Sequence, residues 1–195
     1  MGQGKAERSP LEPPDGVDLV LEFVNTHADA GGRVERFEDA GALARWLSGN
    51  GFPVEDRQVT SADAAAAREL RDALVTLLLA HSRDETLDTG AVRLAEGHVQ
   101  QVATRYPLVP VIRADGASLL PQQAGVPGAF GSVLATVTLL AQSGAWTRLK
   151  ACRNEPCHFG FFDRTRNGSA VYCGSACGSQ VSMRAYRQRK KAQAG

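Results

Sequence analysis

The pattern of apolar and polar residues predicts a helical body over the first three quarters of the chain. In the clearest helix, Ser61–Arg83, alanines fill the first turns and leucines follow at helical spacing, at positions 70, 74, 77 and 78. This stripe predicts a central core helix capped by Ser61. Amphipathic spacing predicts three further helices, over Val17–His27, Phe37–Gly49 and Asp88–Ala103. The valines and phenylalanine of the first also permit a strand.

The segment Leu108–Leu120 changes to β character. Apolar residues flank Ala114-Asp115-Gly116, and an Asp-Gly pair between two such runs is a strong hairpin signal. The segment Gly131–Ser143 is apolar enough to be buried. The predicted fold class is therefore mainly α (α+β), with a helical domain over 16–146 that contains one small β-hairpin.

Residues 1–15 are polar and contain three prolines, which predicts a disordered leader without a secretory signal. The strongly apolar stretch Ala73–Ala80 is far shorter than the roughly 20 residues that cross a bilayer. The prediction is a cytoplasmic protein with no membrane partner.

All four cysteines lie in the last quarter of the chain, at Cys152, Cys157, Cys173 and Cys177. They form two close pairs, with four and three residues between the members, joined by a spacer of fifteen. Zinc accepts four thiolates wherever the chain brings them together, so this spacing predicts a tetrahedral zinc site. Four protein ligands leave no open position for a substrate. Because no hydrolase or dehydrogenase motif is present either, the chain is predicted not to be an enzyme.

Other uses of the cysteines remain open. Two disulfides would require an oxidising compartment, and a redox-active pair usually has two intervening residues. His158 is an alternative ligand beside Cys157, although a strand position covering a hairpin is the expected role. A zinc site can also be only a staple for a small domain.

The spacer between the cysteine pairs predicts a hairpin. His158–Asp163 is aromatic and extended, Asn167-Gly168 is a turn signal, and Ser169–Tyr172 returns toward Cys173. Gly174–Lys191 has no proline and predicts a helix that Ser175 can cap. Residues 147–192 are therefore predicted to form a treble-clef-like four-cysteine zinc finger with a basic C-terminal helix.

Charge is divided unevenly along the chain. Residues 148–191 contain ten Lys or Arg and two acids, a net charge of +8, whereas residues 1–147 contain twelve bases and nineteen acids. A basic finger on an acidic body predicts a polyanionic partner, with DNA favoured. The candidate nucleic-acid contacts are Arg164, Arg166, Arg184, Arg187, Arg189, Lys190 and Lys191. The alternative is a solvated terminal helix, and some of the charge can offset the negative charge of a zinc tetrathiolate.

Asn25 and Thr26 end the first apolar segment, and Arg33 follows closely. These polar residues are candidates for a small-molecule effector pocket. The alternative is that they cap a helix and satisfy backbone groups of the loop. His81 and His98 are predicted to be isolated and exposed.

The finger resembles the C-terminal zinc finger of the bacterial CGNR family. The matching residues are Leu149-Lys150-Ala151-Cys152, Cys157, Phe159–Phe162, Asp163-Arg164-Thr165-Arg166-Asn167, Tyr172-Cys173, Ala176-Cys177-Gly178 and Arg184-Ala185-Tyr186-Arg187. In the name-giving tetrad, here Cys177-Gly178-Ser179-Gln180, Ser179 and Gln180 replace the family's Asn and Arg.

The body resembles the stress-responsive regulatory domain that precedes such fingers. The matching residues are Leu21-Glu22-Phe23-Val24-Asn25-Thr26, the Gly31-Gly32-Arg33 loop and Leu43-Ala44-Arg45-Trp46-Leu47. The resemblance implies a one-component transcription regulator, whose body senses an effector or forms a homodimer while the finger holds a basic helix against DNA. The alternative is a protein-interaction or RNA-binding module with a purely structural zinc. Steep salt dependence of duplex binding would distinguish the two.

Overall fold

A computed structural model describes residues 11–29, 32–55, 58–155 and 157–193. Within these ranges the chain forms six α-helices: α1 Val17–Val24, α2 Ala40–Gly49, α3 Ser61–His81, α4 Thr89–Arg105, α5 Gly125–Gln142 and α6 Ser175–Gln193. The strands are β1 Leu108–Arg113, β2 Gly116–Pro121, β3 Leu149–Ala151 and β4 Gly160–Phe162. The predicted fold class is confirmed: helices dominate, and a four-cysteine cluster lies near the C-terminus. The first ten residues of the predicted leader, and Gly31 of the predicted glycine loop, lie outside the described residues.

Polar residues just before the helices determine where the helices begin. Thr60 caps α3 in a capping box with Asp63, so the prediction of Ser61 as the cap was wrong by one residue. Asp39 caps α2 by accepting from the backbone N–H of Ala42, and Asp88 caps α4 in the same way. The helix predicted from Phe37 therefore begins three residues later.

Helix α3 is the centre of the hydrophobic core, as its leucine stripe predicts. Leu70, Leu74 and Leu78 are fully buried, and the helix packs against α1, α2 and α4. A cluster of aromatic rings from α1, α2 and the segment before α2 fills one end of this core. The ring centroids of Phe23 and Trp46 lie 5.5 Å apart, in the edge-to-face arrangement that aromatic pairs favour.

The predicted hairpin is present: β1 pairs antiparallel with β2, and Ala114 and Asp115 form the turn. Strand β2 packs on α5, where a Cβ added at Gly131 would lie 3.0 Å from Pro121. Helix α5 is longer than Ala73–Ala80, and by length and composition it could cross a membrane. Half of that helix is buried inside the protein.

The hydrophobic core continues into the first part of the finger. Leu149, Ala151 and Phe162 are buried in the same cluster as the side chains of α1 and α3. Strand β3 packs against α3, and β4 packs against α1. The β3–β4 hairpin thus depends on the body for its burial, while the predicted division of the chain at residues 146 and 147 stays a prediction.

Candidate metal centre

The β3–β4 hairpin and the start of α6 bring the four cysteines together. The strands pair antiparallel, with Leu149 opposite Phe162 and Ala151 opposite Gly160. The turn between them contains Cys152 and Cys157. Cys173 lies two residues before α6, and Cys177 lies in the first turn of that helix. The predicted order of cysteine turn, hairpin and helix is thus changed, because the hairpin flanks the first cysteine pair and does not lie between the two pairs.

The predicted second strand of the finger, Ser169–Tyr172, was wrong. β4 pairs instead with β3, which precedes the cysteine turn. Side chains satisfy the backbone where the strand was predicted: Asp163 accepts from the N–H of Ala170 at 2.9 Å, and the hydroxyl of Thr165 accepts from the N–H of Ser169 at 2.9 Å.

His158 also differs from its predicted strand position. It adopts a left-handed φ of 45° in the cysteine turn, and its backbone N–H donates to the carbonyl oxygen of Asn154. Within the described ranges, the cluster of possible metal ligands consists of the four cysteines and excludes this histidine.

The geometry of the four thiols fits zinc. All four Sγ atoms lie within 4.8 Å of one another, and the Cys157–Cys173 and Cys173–Cys177 separations are both 3.7 Å. Four sulfurs at about 2.3 Å from a tetrahedral zinc lie about 3.8 Å apart. The cysteines are free thiols rather than disulfides. Cys152 is buried and Cys173 is exposed, so the cluster lies at the edge of the finger.

Without a cation, the environment opposes ionisation of two of these thiols. Burial raises the pKa of Cys157 to about 11. Burial and the charge of Cys152 raise the pKa of Cys173. The hydrogen bond from Asn154 lowers the pKa of Cys177. A divalent cation stabilises all four as thiolates, because it supplies the positive charge that the cluster lacks.

The loop after β4 is held by a buried ion pair. Lys150 Nζ lies 2.7 Å from a carboxylate oxygen of Asp163, and their side chains are 5% and 0% exposed. The ammonium group also donates to the carbonyl oxygens of Gly168 and Ala170. Burial alone would raise the pKa of Asp163, but hydrogen bonds from Lys150 and Thr165 outweigh it and hold that pKa below its ordinary value.

The basic residues of the finger fall into two groups. Four are engaged within the chain: Arg148 donates to carbonyl oxygens of the 163–166 loop, Lys150 pairs with Asp163, Arg153 donates to the carbonyl oxygen of Arg83, and Arg184 donates to Oδ1 of Asn154. Six others are exposed and have no ion pair within the described ranges: Arg164, Arg166, Arg187, Arg189, Lys190 and Lys191. Of the seven predicted nucleic-acid contacts, only Arg184 is therefore tied to the finger itself.

Two of the three candidate effector residues join the body to the finger. The side-chain amide of Asn25 accepts from the N–H of Gly160 at 2.6 Å and donates to its carbonyl oxygen at 3.0 Å. Arg33 donates to the carbonyl oxygen of Cys157. Thr26 makes no such connection: it is fully buried, and its hydroxyl donates to the carbonyl oxygen of Phe23 within the body. Gly160 must be glycine here, because an added Cβ would lie 2.6 Å from Val24.

A groove of about 450 Å³ lies where α1 meets β4. Asn25 contributes to its wall, whereas Thr26 and Arg33 do not. Leu21, Phe159 and Phe161 supply its apolar surface. The predicted effector site thus includes one residue of this groove, and it stays a prediction.

Contacts at the end of α3 were missed by the sequence analysis. His81, predicted to be exposed, is half-buried: Nδ1 lies 2.8 Å from the carbonyl oxygen of Leu149, and burial lowers its pKa. Ser82 is fully buried and donates to the carbonyl oxygen of Ala151 at 2.6 Å. His98 is also half-buried, so its predicted exposure was wrong. No local pattern marks His81 and Ser82, because their partners lie 68 and 69 positions away.

A helical body joined to a tetrathiolate finger defines the class of zinc-finger proteins with an accessory helical domain. A family model described as "ABATE: Putative stress-induced transcription regulator" matches residues 17–145, and a model of the CGNR zinc finger matches residues 148–190. The chain therefore belongs to the ABATE family and has a CGNR zinc finger, which confirms the resemblance and the prediction of zinc. Both families are of regulator and zinc-finger types rather than enzymes. No curated protein matches the chain at a significant level.

Proposed function

We propose that the protein is a cytoplasmic transcription regulator that binds duplex DNA through α6 and the loop after β4. The observation that carries this proposal is the exposure of the basic side chains of α6. The helix has five bases and no acid, none of its residues is buried, and within the described ranges none of its bases pairs with an acidic group. The basic residues are therefore presented to solvent rather than to the acidic body.

A polyanion would also relieve a repulsion inside α6. Arg184, Arg187 and Lys190 follow one another at three-residue spacing, and like charges at that spacing destabilise a helix. None of the residues of α6 is buried, so apart from its contacts with Asn154 the helix gains little packing energy to offset this repulsion. Phosphates along the helix would neutralise these charges, so binding and helix stability support each other.

The salt dependence of binding tests this proposal. With six exposed bases, the slope of log affinity against log salt is expected to reach about −5 if all of them contact phosphates, at about −0.9 per contact. A fluorescent duplex titrated with zinc-loaded protein at several salt concentrations gives that slope. A flat profile, or no binding at low salt, would exclude the proposal and favour a finger that contacts another protein.

The body is proposed to add specificity and control. A single short helix reads few bases, so a homodimer that positions two fingers fits a regulator better than a monomer. Sedimentation of the free protein as a monomer at all concentrations would contradict this.

The α1–β4 groove is the proposed place for a small-molecule effector, because it adjoins both the body and the finger. An effector found by thermal-shift screening that still stabilised a groove-filled Leu21→Trp variant would bind elsewhere.

A further inference from the structure

Asn154 lies in the cysteine turn and is only 2% exposed. Its amide nitrogen donates to Sγ of Cys177 at 3.4 Å and to Oε1 of Gln180 at 3.0 Å. Its amide oxygen accepts from the guanidinium group of Arg184. Both sides of a buried amide are thus occupied, and the three partners together fix its orientation.

The three partners of Asn154 lie on one face of α6. Cys177, Gln180 and Arg184 follow at spacings of three and four residues, which places them above one another along the helix. At a rise of about 1.5 Å per residue, Arg184 lies roughly 10 Å from Cys177 along the axis. A zinc ligand in the first turn determines where the helix starts, and a second attachment two turns later determines its direction.

We propose that Asn154 is a positioning residue that couples the zinc site to the direction of α6. One end of its amide stabilises the thiolate of Cys177, and the other end holds Arg184. This inference goes beyond nucleic-acid binding and does not depend on it, because both ends of the coupling can be measured without a partner.

Gln180 fits this role in a way that the family's arginine cannot. A glutamine side chain offers an acceptor to the amide N–H of Asn154, whereas a guanidinium group offers only donors. The departure of this chain from the family tetrad at position 180 thus supplies the acceptor in the Asn154 network. Ser179, the other departure, is exposed and provides a matched control.

The test measures zinc affinity, by competition with a chelator, and hydrogen exchange of the α6 amides in the zinc-loaded protein. Residues around a metal ligand typically contribute about 10–100-fold to metal affinity. Asn154→Ala is expected to weaken zinc binding within that range and to accelerate exchange over 181–193, with α3 unchanged. Ser179→Ala is expected to match the wild type in both measurements.

Two further variants separate the ends of the network. Asn154→Asp keeps an acceptor for Arg184 but places a carboxylate against the thiolate, so zinc affinity should fall while α6 stays protected. Arg184→Ala should do the reverse: faster exchange in α6, with zinc affinity within about threefold of the wild type, since the contact to Cys177 remains.

The proposal is overturned if Asn154→Ala binds zinc as tightly as Ser179→Ala and leaves exchange over 181–193 unchanged. If Asn154→Ala unfolds α3 as well, the proposal is tested with Asn154→Asp and Arg184→Ala instead. Equal changes of zinc affinity and of α6 exchange in Asn154→Asp and Arg184→Ala would show that the residues serve general stability and do not couple two distinct features.

Discussion

Replacing Cys177 with serine is expected to abolish stoichiometric zinc binding and to release α6, while the helical body stays folded. Three remaining thiols cannot complete the tetrahedral site, and in small metal domains the free energy of metal binding is also free energy of folding. Metal analysis should show a fall from about one zinc per chain to nearly none. Hydrogen exchange should show loss of protection over 175–193.

The shared core limits how far this unfolding spreads. Leu149 and Phe162 are buried against the body, so the β3–β4 hairpin should keep part of its protection without zinc. Ser182→Ala, an exposed substitution on α6, is the control that should retain zinc. If Cys177→Ser kept a full equivalent of zinc, the assignment of the ligands would be wrong.

Replacing Asp163 with alanine is expected to lower the free energy of unfolding by about 3–5 kcal/mol, the usual effect of removing one partner from a buried ion pair. The ammonium group of Lys150 would lose the carboxylate that neutralises it in a site 5% exposed to solvent. The backbone N–H groups of Thr165 and Ala170 would lose their acceptor as well. Urea denaturation of the zinc-loaded protein measures the change.

Acid should produce the same loss in the wild type. The pKa of Asp163 is held below its ordinary value in the folded protein, so its contribution is present above an ordinary Asp pKa of about 3.9 and is lost as the pH falls through the folded value. Asp163→Asn should lack this component of acid destabilisation.

The control for Asp163→Ala is Glu96→Ala, on the exposed face of α4, which should change stability by less than about 0.5 kcal/mol. A similar small effect for Asp163→Ala would show that the buried pair is not important for stability.

Local signals in the sequence account for the features that were predicted correctly. The leucine spacing of α3, the Asp-Gly signal at the β1–β2 hairpin and the close cysteine pairs each depend on residues a few positions apart. Such patterns reflect the geometry of a single element or turn. The cysteines could be recognised because zinc restricts the spacing of its ligands, whatever the remaining fold.

The features that were missed depend on distant contacts. Asn25 pairs with Gly160, and Ser82 pairs with Ala151, across more than 60 residues in each case. The partner of β4 was misassigned because the turn signal at Asn167-Gly168 pointed to a nearer hairpin, whereas Lys150 and Asp163 hold that loop instead. A sequence alone does not show which buried polar groups the fold will bring together.

The most direct test of a zinc-held cationic helix compares two variants that lose equal charge. One carries Arg187→Gln, Arg189→Gln and Lys190→Gln on α6, and the other carries Arg93→Gln, Arg105→Gln and Arg113→Gln on exposed body positions. Duplex affinity is measured at two salt concentrations on zinc-loaded protein. The α6 variant should bind far more weakly, with a salt slope about 2.7 units shallower, whereas the body variant should match the wild type. Equal losses in the two variants would show that only net charge matters, and would contradict the assignment of α6 as the DNA-binding element.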